Sequence, residues 1–90
     1  MKPFDERMDA LRTRFITRAR TEIAALREAH RQHDEPAMRK IAHSLAGNAG
    51  LFGWPDLSAR ARELEDALVQ PASQDEVESR LEAVMAEMPR

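Results

Sequence analysis

The apolar residues of the chain recur every three or four positions, which is the spacing of one face of an α-helix. Glycine and proline interrupt this pattern and divide the chain into four segments. No stretch alternates apolar and polar residues over a useful strand length. In order, the four apolar stripes contain Phe4, Met8, Leu11, Phe15, Ala19, Ile23 and Leu26; Met38, Ile41, Ala42, Leu45, Ala49 and Phe52; Leu57, Ala61, Leu64 and Leu68; and Val77, Leu81, Val84 and Met88. The pattern predicts four amphipathic helices.

Residues that favour helix ends mark the first two segments. The first helix is predicted from about Phe4 to His30. Asp34 is a good N-cap for the second helix, with Pro36 in its first turn. Gly53 is placed to end that helix in a left-handed conformation.

Similar signals mark the third and fourth segments. Pro55 opens the third helix and Pro71 bounds it, while Ser73-Gln-Asp-Glu76 forms a capping box for the fourth. Only short connections separate the segments, and short connections between amphipathic helices favour antiparallel neighbours. We therefore predict an all-α chain, an up-down-up-down antiparallel four-helix bundle forming a single domain over residues 1–90.

Composition limits the chemistry of the chain. Its 90 residues include no cysteine, which excludes a disulfide, a thiolate nucleophile and a cysteine zinc site. With 14 basic and 16 acidic residues the net charge is −2, which does not favour a nucleic-acid binder. No apolar run is long enough to span a membrane, and no apolar leader is visible at the N-terminus. We expect a cytoplasmic monomer that binds neither nucleic acid nor membrane.

The most informative stretch surrounds His43. Gly47 and Gly50 lie inside the second helix, where each costs about 1 kcal/mol relative to alanine. At roughly 100° per residue they fall about 40° and 20° from His43, away from the apolar stripe. An outward imidazole beside bare backbone suits an approaching macromolecule, and neutral imidazole is a nucleophile that can carry a phosphoryl group. An ordinary surface histidine, with glycines that serve internal helix packing, is the alternative interpretation.

Other candidate sites are weaker. His30 and His33 are spaced as a metal-binding pair, but no third ligand accompanies them, and exposed histidines near a helix C-terminus are the simpler interpretation. The arginines of the first helix alternate with acidic residues, which is typical of a solvated face. The three glycines lack the strand–loop–helix context of a phosphate-binding loop. The sequence therefore predicts no nucleotide site, no metal site and no self-contained kinase.

The stretch His43-Ser-Leu-Ala-Gly-Asn-Ala-Gly-Leu-Phe-Gly53 resembles the signature of histidine-containing phosphotransfer (HPt) domains, especially those of chemotaxis-type histidine kinases. The resemblance implies a phosphocarrier without turnover of its own, in which His43 receives a phosphoryl group, most often on Nε2. A histidine kinase and a response-regulator receiver domain would be its partners, and the receiver would supply Mg²⁺, so that the chain needs no cofactor. Glu65, 22 residues after His43, matches the family position that hydrogen-bonds Nδ1. Gly47 and Gly50 would let the receiver approach closely.

The sequence departs from the family signature at one position. The family usually has lysine three residues after the histidine, where this chain has Ala46. We hypothesise that Lys40, Arg39 or Arg62 supplies the missing charge. Ser58 shares a face of the third helix with Arg62 and Glu65, and is a further candidate.

Three functions remain under consideration. The leading one is a stand-alone phosphotransfer protein in a two-component phosphorelay. A binding module that docks and inhibits a kinase or receiver without carrying phosphate is the second, and the absent lysine favours it slightly. A structural or oligomerisation module is the third, but it does not explain glycines on the face of an exposed histidine.

Overall fold

The computed structural model describes residues 3–70 and 72–89, which form four α-helices and no strand. The helices are α1 (Pro3–Arg31), α2 (Glu35–Leu51), α3 (Pro55–Val69) and α4 (Gln74–Ala86). The all-α prediction is therefore confirmed for this part of the chain. Pro71, predicted to bound the third helix, lies outside the described residues, as does the side chain of Phe4.

The predicted helix ends are formed by the expected side chains. The Asp34 carboxylate accepts a hydrogen bond from the backbone N–H of Ala37 at 3.2 Å, which caps α2. The Ser73 hydroxyl accepts one from the N–H of Glu76 at 3.1 Å, which caps α4. After α2, Gly53 adopts a φ of +88°, so the chain can turn sharply into α3.

The core lies between the four helices, and its largest fully buried side chains are Leu26, Met38, Leu45, Leu57, Leu64 and Val84. Each helix packs on the next one along the chain, and of the helix pairs in contact α1 and α4 have the smallest interface. The most extensive contact joins α2 and α3. Small buried residues, Ala42, Ala46 and Ala49 on α2 and Ala61 on α3, allow these two backbones to approach closely.

The start of α1 extends beyond the core. α1 has 29 residues, whereas α2 has 17, so the first turns of α1 have no helix beside them to cover their apolar stripe. Met8 and Leu11 belong to the predicted apolar stripe of the first helix, yet each is 39% exposed. Met88, in the predicted stripe of the fourth helix, lies beyond the end of α4 at Ala86 and is also exposed. Among the described residues, no helix is long and apolar enough to cross a membrane.

We predict that Gly53→Ala lowers the free energy of unfolding by about 1 kcal/mol, because a left-handed conformation brings Cβ too close to the backbone. The cost is conformational only, since a Cβ at this position would contact nothing within 4 Å. Urea unfolding followed by circular dichroism measures it. Gly53→Asn is the control and should lose less, because asparagine tolerates this conformation. An alanine variant as stable as the parent protein would contradict the prediction.

Candidate functional site

His43 lies on the outer face of α2, and its side chain is 77% exposed. Its Nδ1 atom is 2.8 Å from Oε2 of Glu65 on α3. A carboxylate only accepts hydrogen bonds, so Nδ1 carries the proton and donates it to Glu65. In the neutral imidazole, Nε2 then keeps its lone pair. The outward position that the helical pattern predicts is confirmed, and the arrangement presents a nucleophilic nitrogen on an exposed side chain.

A second contact between the same two helices holds the site in register. The Ser58 hydroxyl donates a hydrogen bond of 2.7 Å to the backbone carbonyl of Ala46. Ser58 is buried, so this bond is shielded from competing water. Ser58 shares a helix face with Glu65, but its hydroxyl is used to join α3 to α2. Sequence reasoning missed this contact, because a serine in a helix interior usually bonds within its own helix.

The two glycines of the His43 face differ in their surroundings. A Cβ added at Gly47 would contact nothing within 4 Å, so internal packing does not account for this glycine. A Cβ added at Gly50 would lie 3.3 Å from Oγ of Ser58. Gly50 therefore makes room for the hydroxyl that bonds to Ala46, whereas Gly47 leaves bare backbone on the exposed surface.

The three cationic candidates lie in exposed positions on the same two helices. Arg39 and Lys40 are one turn before His43 on α2, and Arg62 is one turn before Glu65 on α3. None of the three forms an ion pair with a described residue. None hydrogen-bonds to the site histidine or to its carboxylate partner. Their charges therefore lie on the exposed surface of α2 and α3. Among the described residues, Glu65 alone contacts Nδ1 of His43.

An aromatic cluster supports the end of α2. The ring of Phe15 on α1 stacks on Phe52 with centroids 5.4 Å apart and lies 4.8 Å from the ring of Trp54. The two aromatic residues flank Gly53, so their contact with α1 fixes the turn between α2 and α3. The apolar stripe of α1 predicted Phe15 as a core residue, but it gave no indication of this cluster.

The described residues contain no group of three or more histidine or acidic side chains placed to hold a metal ion. The family model of the Hpt domain matches residues 10–89 of the chain. That range includes His43, Glu65 and both glycines of the site. Comparison with curated proteins and with solved structures gives no significant match.

The two glycines provide a prediction about stability. Gly47→Ala should raise the free energy of unfolding by about 1 kcal/mol, because alanine favours the helix and nothing obstructs its methyl group. Gly50→Ala should raise the free energy of unfolding by less, because its methyl group presses on the Ser58 hydroxyl and weakens the hydrogen bond to Ala46. Urea unfolding of both variants measures the difference.

A double-mutant cycle provides the control. In a Ser58→Ala background, Gly50→Ala should stabilise the chain as much as Gly47→Ala does in the parent protein. The reason is that the hydroxyl group that the new methyl group would press on has been removed. Equal stabilisation by the two glycine replacements in the parent protein would show that the Ser58 contact does not constrain Gly50.

Proposed function

The chain belongs to the Hpt domain family, and from that premise we propose that His43 is its phosphoryl acceptor in a two-component phosphorelay. One observation carries the assignment: the exposed imidazole of His43 donates its Nδ1 proton to Glu65 on the neighbouring helix. His30 and His33, by comparison, have no hydrogen bond from their rings to a described carboxylate. His43 is thus the histidine whose tautomer the surrounding structure specifies.

The proposed transfer needs little from this chain beyond the histidine. The Nε2 lone pair attacks the phosphorus of the donor, an N–P bond forms, and the donor's O–P bond breaks with its electrons on the leaving oxygen. In the next step a receiver aspartate attacks the same phosphorus, and the N–P electrons return to Nε2. Glu65 accepts the Nδ1 hydrogen bond throughout, and it stabilises positive charge on the phosphorylated ring. Positioning and charge stabilisation of the phosphoryl group come from the partner.

We propose a histidine kinase and a response-regulator receiver as the partners. The bare backbone at Gly47 supports this, because it lets a second protein surface approach the imidazole. The Mg²⁺ of the transfer would be held by receiver carboxylates. On this chain, Glu65 is already hydrogen-bonded to His43, so it is a poor candidate for a metal ligand.

The same contacts support the up-down-up-down antiparallel arrangement as part of the proposal. His43 pairs with Glu65, and three residues further along α2 the Ala46 carbonyl pairs with Ser58, which comes earlier on α3. Residue numbers therefore rise along one helix as they fall along the other. The pairing of Glu63 on α3 with Arg80 on α4 fits a similar reversal across the connection between those helices.

A non-carrier module that docks and inhibits a kinase or receiver is the second candidate. It is favoured by Ala46, which occupies the position of the family's lysine and is buried at 4% exposure. No cation of the described chain is hydrogen-bonded to His43 in its place. Phosphate labelling separates the two candidates, because only a carrier becomes phosphorylated.

We predict that incubation with a histidine kinase and ATP, or with a phosphorylated receiver, places acid-labile, base-stable phosphate on the chain. His43→Ala should abolish the label, because it removes the nucleophilic nitrogen. His30→Ala and His33→Ala are the matched controls and should retain it. Label that persists without His43, or its absence with every donor tested, would contradict the carrier function.

The cationic residues give a second prediction for the transfer step. Arg39→Ala combined with Lys40→Ala should slow phosphoryl transfer about fivefold, and Arg62→Ala should slow it by a similar factor, as expected for exposed charges. Rapid-quench transfer from the phosphorylated chain to a receiver measures the rates. Arg27→Ala, which removes an exposed arginine of α1, is the control. Wild-type rates for both site variants, the Arg39/Lys40 double replacement and Arg62→Ala, would exclude these three residues as substitutes for the absent lysine.

A further inference from the structure

A groove runs between α1 and α4, which share the smallest of the helix–helix interfaces. Two cavities of about 230 and 430 Å³ lie along it, and Met85 on α4 lines both of them. Buried Leu81 adds to the apolar lining of the first cavity, and exposed Met88 adds to that of the second. We call this surface the α1–α4 groove.

The two walls of the α1–α4 groove carry opposite charge. Arg27 and Arg31 line it from α1. Glu78 and Glu82 line it from α4, and all four residues are exposed. Among the described residues no ion pair joins these two walls, and Arg31 pairs instead with Glu28 of its own helix at 2.9 Å. The walls are therefore complementary in charge but are not bridged within one copy of the chain.

A second copy of the chain can pair these walls through a twofold axis that runs parallel to the two helices. Rotation about this axis places α1 of one copy against α4 of the other, at the same height along the bundle. The two arginines of each copy then face the two glutamates of the other, and the apolar linings meet between them. A basic wall beside an acidic wall is thus complementary to itself, as an isologous interface requires.

The α1–α4 groove and His43 lie on opposite sides of the bundle. The helices contact one another in a ring, in the order α1, α2, α3, α4 and back to α1. The side formed by α1 and α4 is therefore opposite the side formed by α2 and α3, where His43 contacts Glu65. A copy bound in the groove leaves the histidine accessible.

The size of this face determines how strongly two copies can associate. α4 has 13 residues and is about 20 Å long, and two adjacent helices are about 20 Å wide. The resulting footprint of about 400 Å² is half of the roughly 800 Å² that each partner buries in a standard stable interface. The association is therefore weak and reversible, with a Kd of roughly 100 μM.

We propose that the α1–α4 groove binds a second copy of this chain, and that the two copies form a twofold-symmetric dimer with arginine–glutamate pairs on either side of an apolar seam. This dimer differs from the monomer expected from the sequence. The two walls are distant in the chain, and only the packing of α1 beside α4 brings them onto one face. The dimer does not depend on phosphoryl transfer by His43.

The parent protein provides the first test. Sedimentation equilibrium between about 10 μM and about 1 mM should show a monomer that converts largely to dimer. Raising the salt concentration from about 0.05 M to about 0.5 M should weaken the dimer severalfold, because it screens the exposed charges. On dilution, the NMR amide signals of Glu78, Glu82 and Met85 should shift, and that of Gly47 should not. A monomer at the highest concentration, or shifts confined to another surface, would overturn the proposal.

Charge exchange provides the second test. An acidic variant combines Arg27→Glu with Arg31→Glu, and a basic variant combines Glu78→Arg with Glu82→Arg. Each should stay monomeric by itself, because its two walls have the same sign and repel those of another copy. A mixture of the two variants should form a heterodimer, because each wall then faces one of opposite charge. Folded variants that dimerise alone like the parent, or that do not associate when mixed, would contradict the dimer.

A fully exchanged chain with all four replacements keeps the test decisive if either double variant does not fold. It retains one basic and one acidic wall, so it should dimerise with itself but not with the parent protein. Arg7→Glu combined with Arg12→Glu makes the same change of charge at exposed positions of α1 outside the groove, and this matched control should dimerise like the parent. Circular dichroism verifies folding. A folded, fully exchanged chain that stays monomeric would overturn the proposal.

Phosphate labelling distinguishes this proposal from the proposed function. The groove lies opposite His43, so none of the groove replacements should change the labelling of the chain by a given donor. If the parent dimerises but takes no label, the proposed function fails and the dimer stands. If the parent is labelled but stays monomeric, the dimer fails and the proposed function stands. Loss of labelling in the acidic and basic variants would assign the groove to the donor and overturn its assignment to a second copy.

Discussion

The close contact between α2 and α3 is the constraint on which the site depends. The backbones approach because their facing residues are small, and the Ser58 hydroxyl bonds across to the Ala46 carbonyl at 2.7 Å. A buried hydroxyl without a partner would cost about 1–3 kcal/mol, so this bond favours one register of the two helices over others. In that register Glu65 is opposite His43, at 2.8 Å. A shift of one helical turn, about 5.4 Å, would separate them.

This contact explains how a small chain can fix the tautomer of an exposed histidine without building a cleft. A carboxylate on one helix sets the tautomer of an imidazole on the next, and Nε2 keeps its lone pair on an exposed side chain. Gly47 and Gly50 both shape the surroundings of His43, but in different ways. Gly50 makes room for Ser58 between α2 and α3, while Gly47 leaves bare backbone on the exposed surface of α2. Glycine reduces helix stability at both positions. Internal packing accounts for Gly50, whereas no internal contact requires Gly47.

The unequal lengths of the helices create the other notable surface. α1 extends beyond the end of α2. Its apolar stripe is therefore exposed at Met8 and Leu11, although the same stripe is buried in the core further along the helix. The aromatic contacts of Phe15 with Phe52 and Trp54 close the core at this end.

Much of the fold follows from local sequence. The three-to-four-residue spacing determined the helices, and Asp34, Ser73 and Gly53 determined where they begin or end, because capping and left-handed turns depend on neighbouring residues. The spacing also placed His43 and Gly47 on one outward face. It could not show that Met8 and Leu11 lack a covering helix, because burial depends on the relative lengths of elements distant in the chain.

For the site, too, some features follow from the sequence and others only from the packing of the helices. The resemblance of its motif to the Hpt signature indicated Glu65 as the partner of His43, but the 2.8 Å contact between them exists only because α2 and α3 pack in one register. The role of Ser58 and the different surroundings of Gly47 and Gly50 were decided by that packing alone. Periodicity along one helix determines which way a side chain points. What the side chain meets there depends on a second helix, and only the tertiary structure decides that.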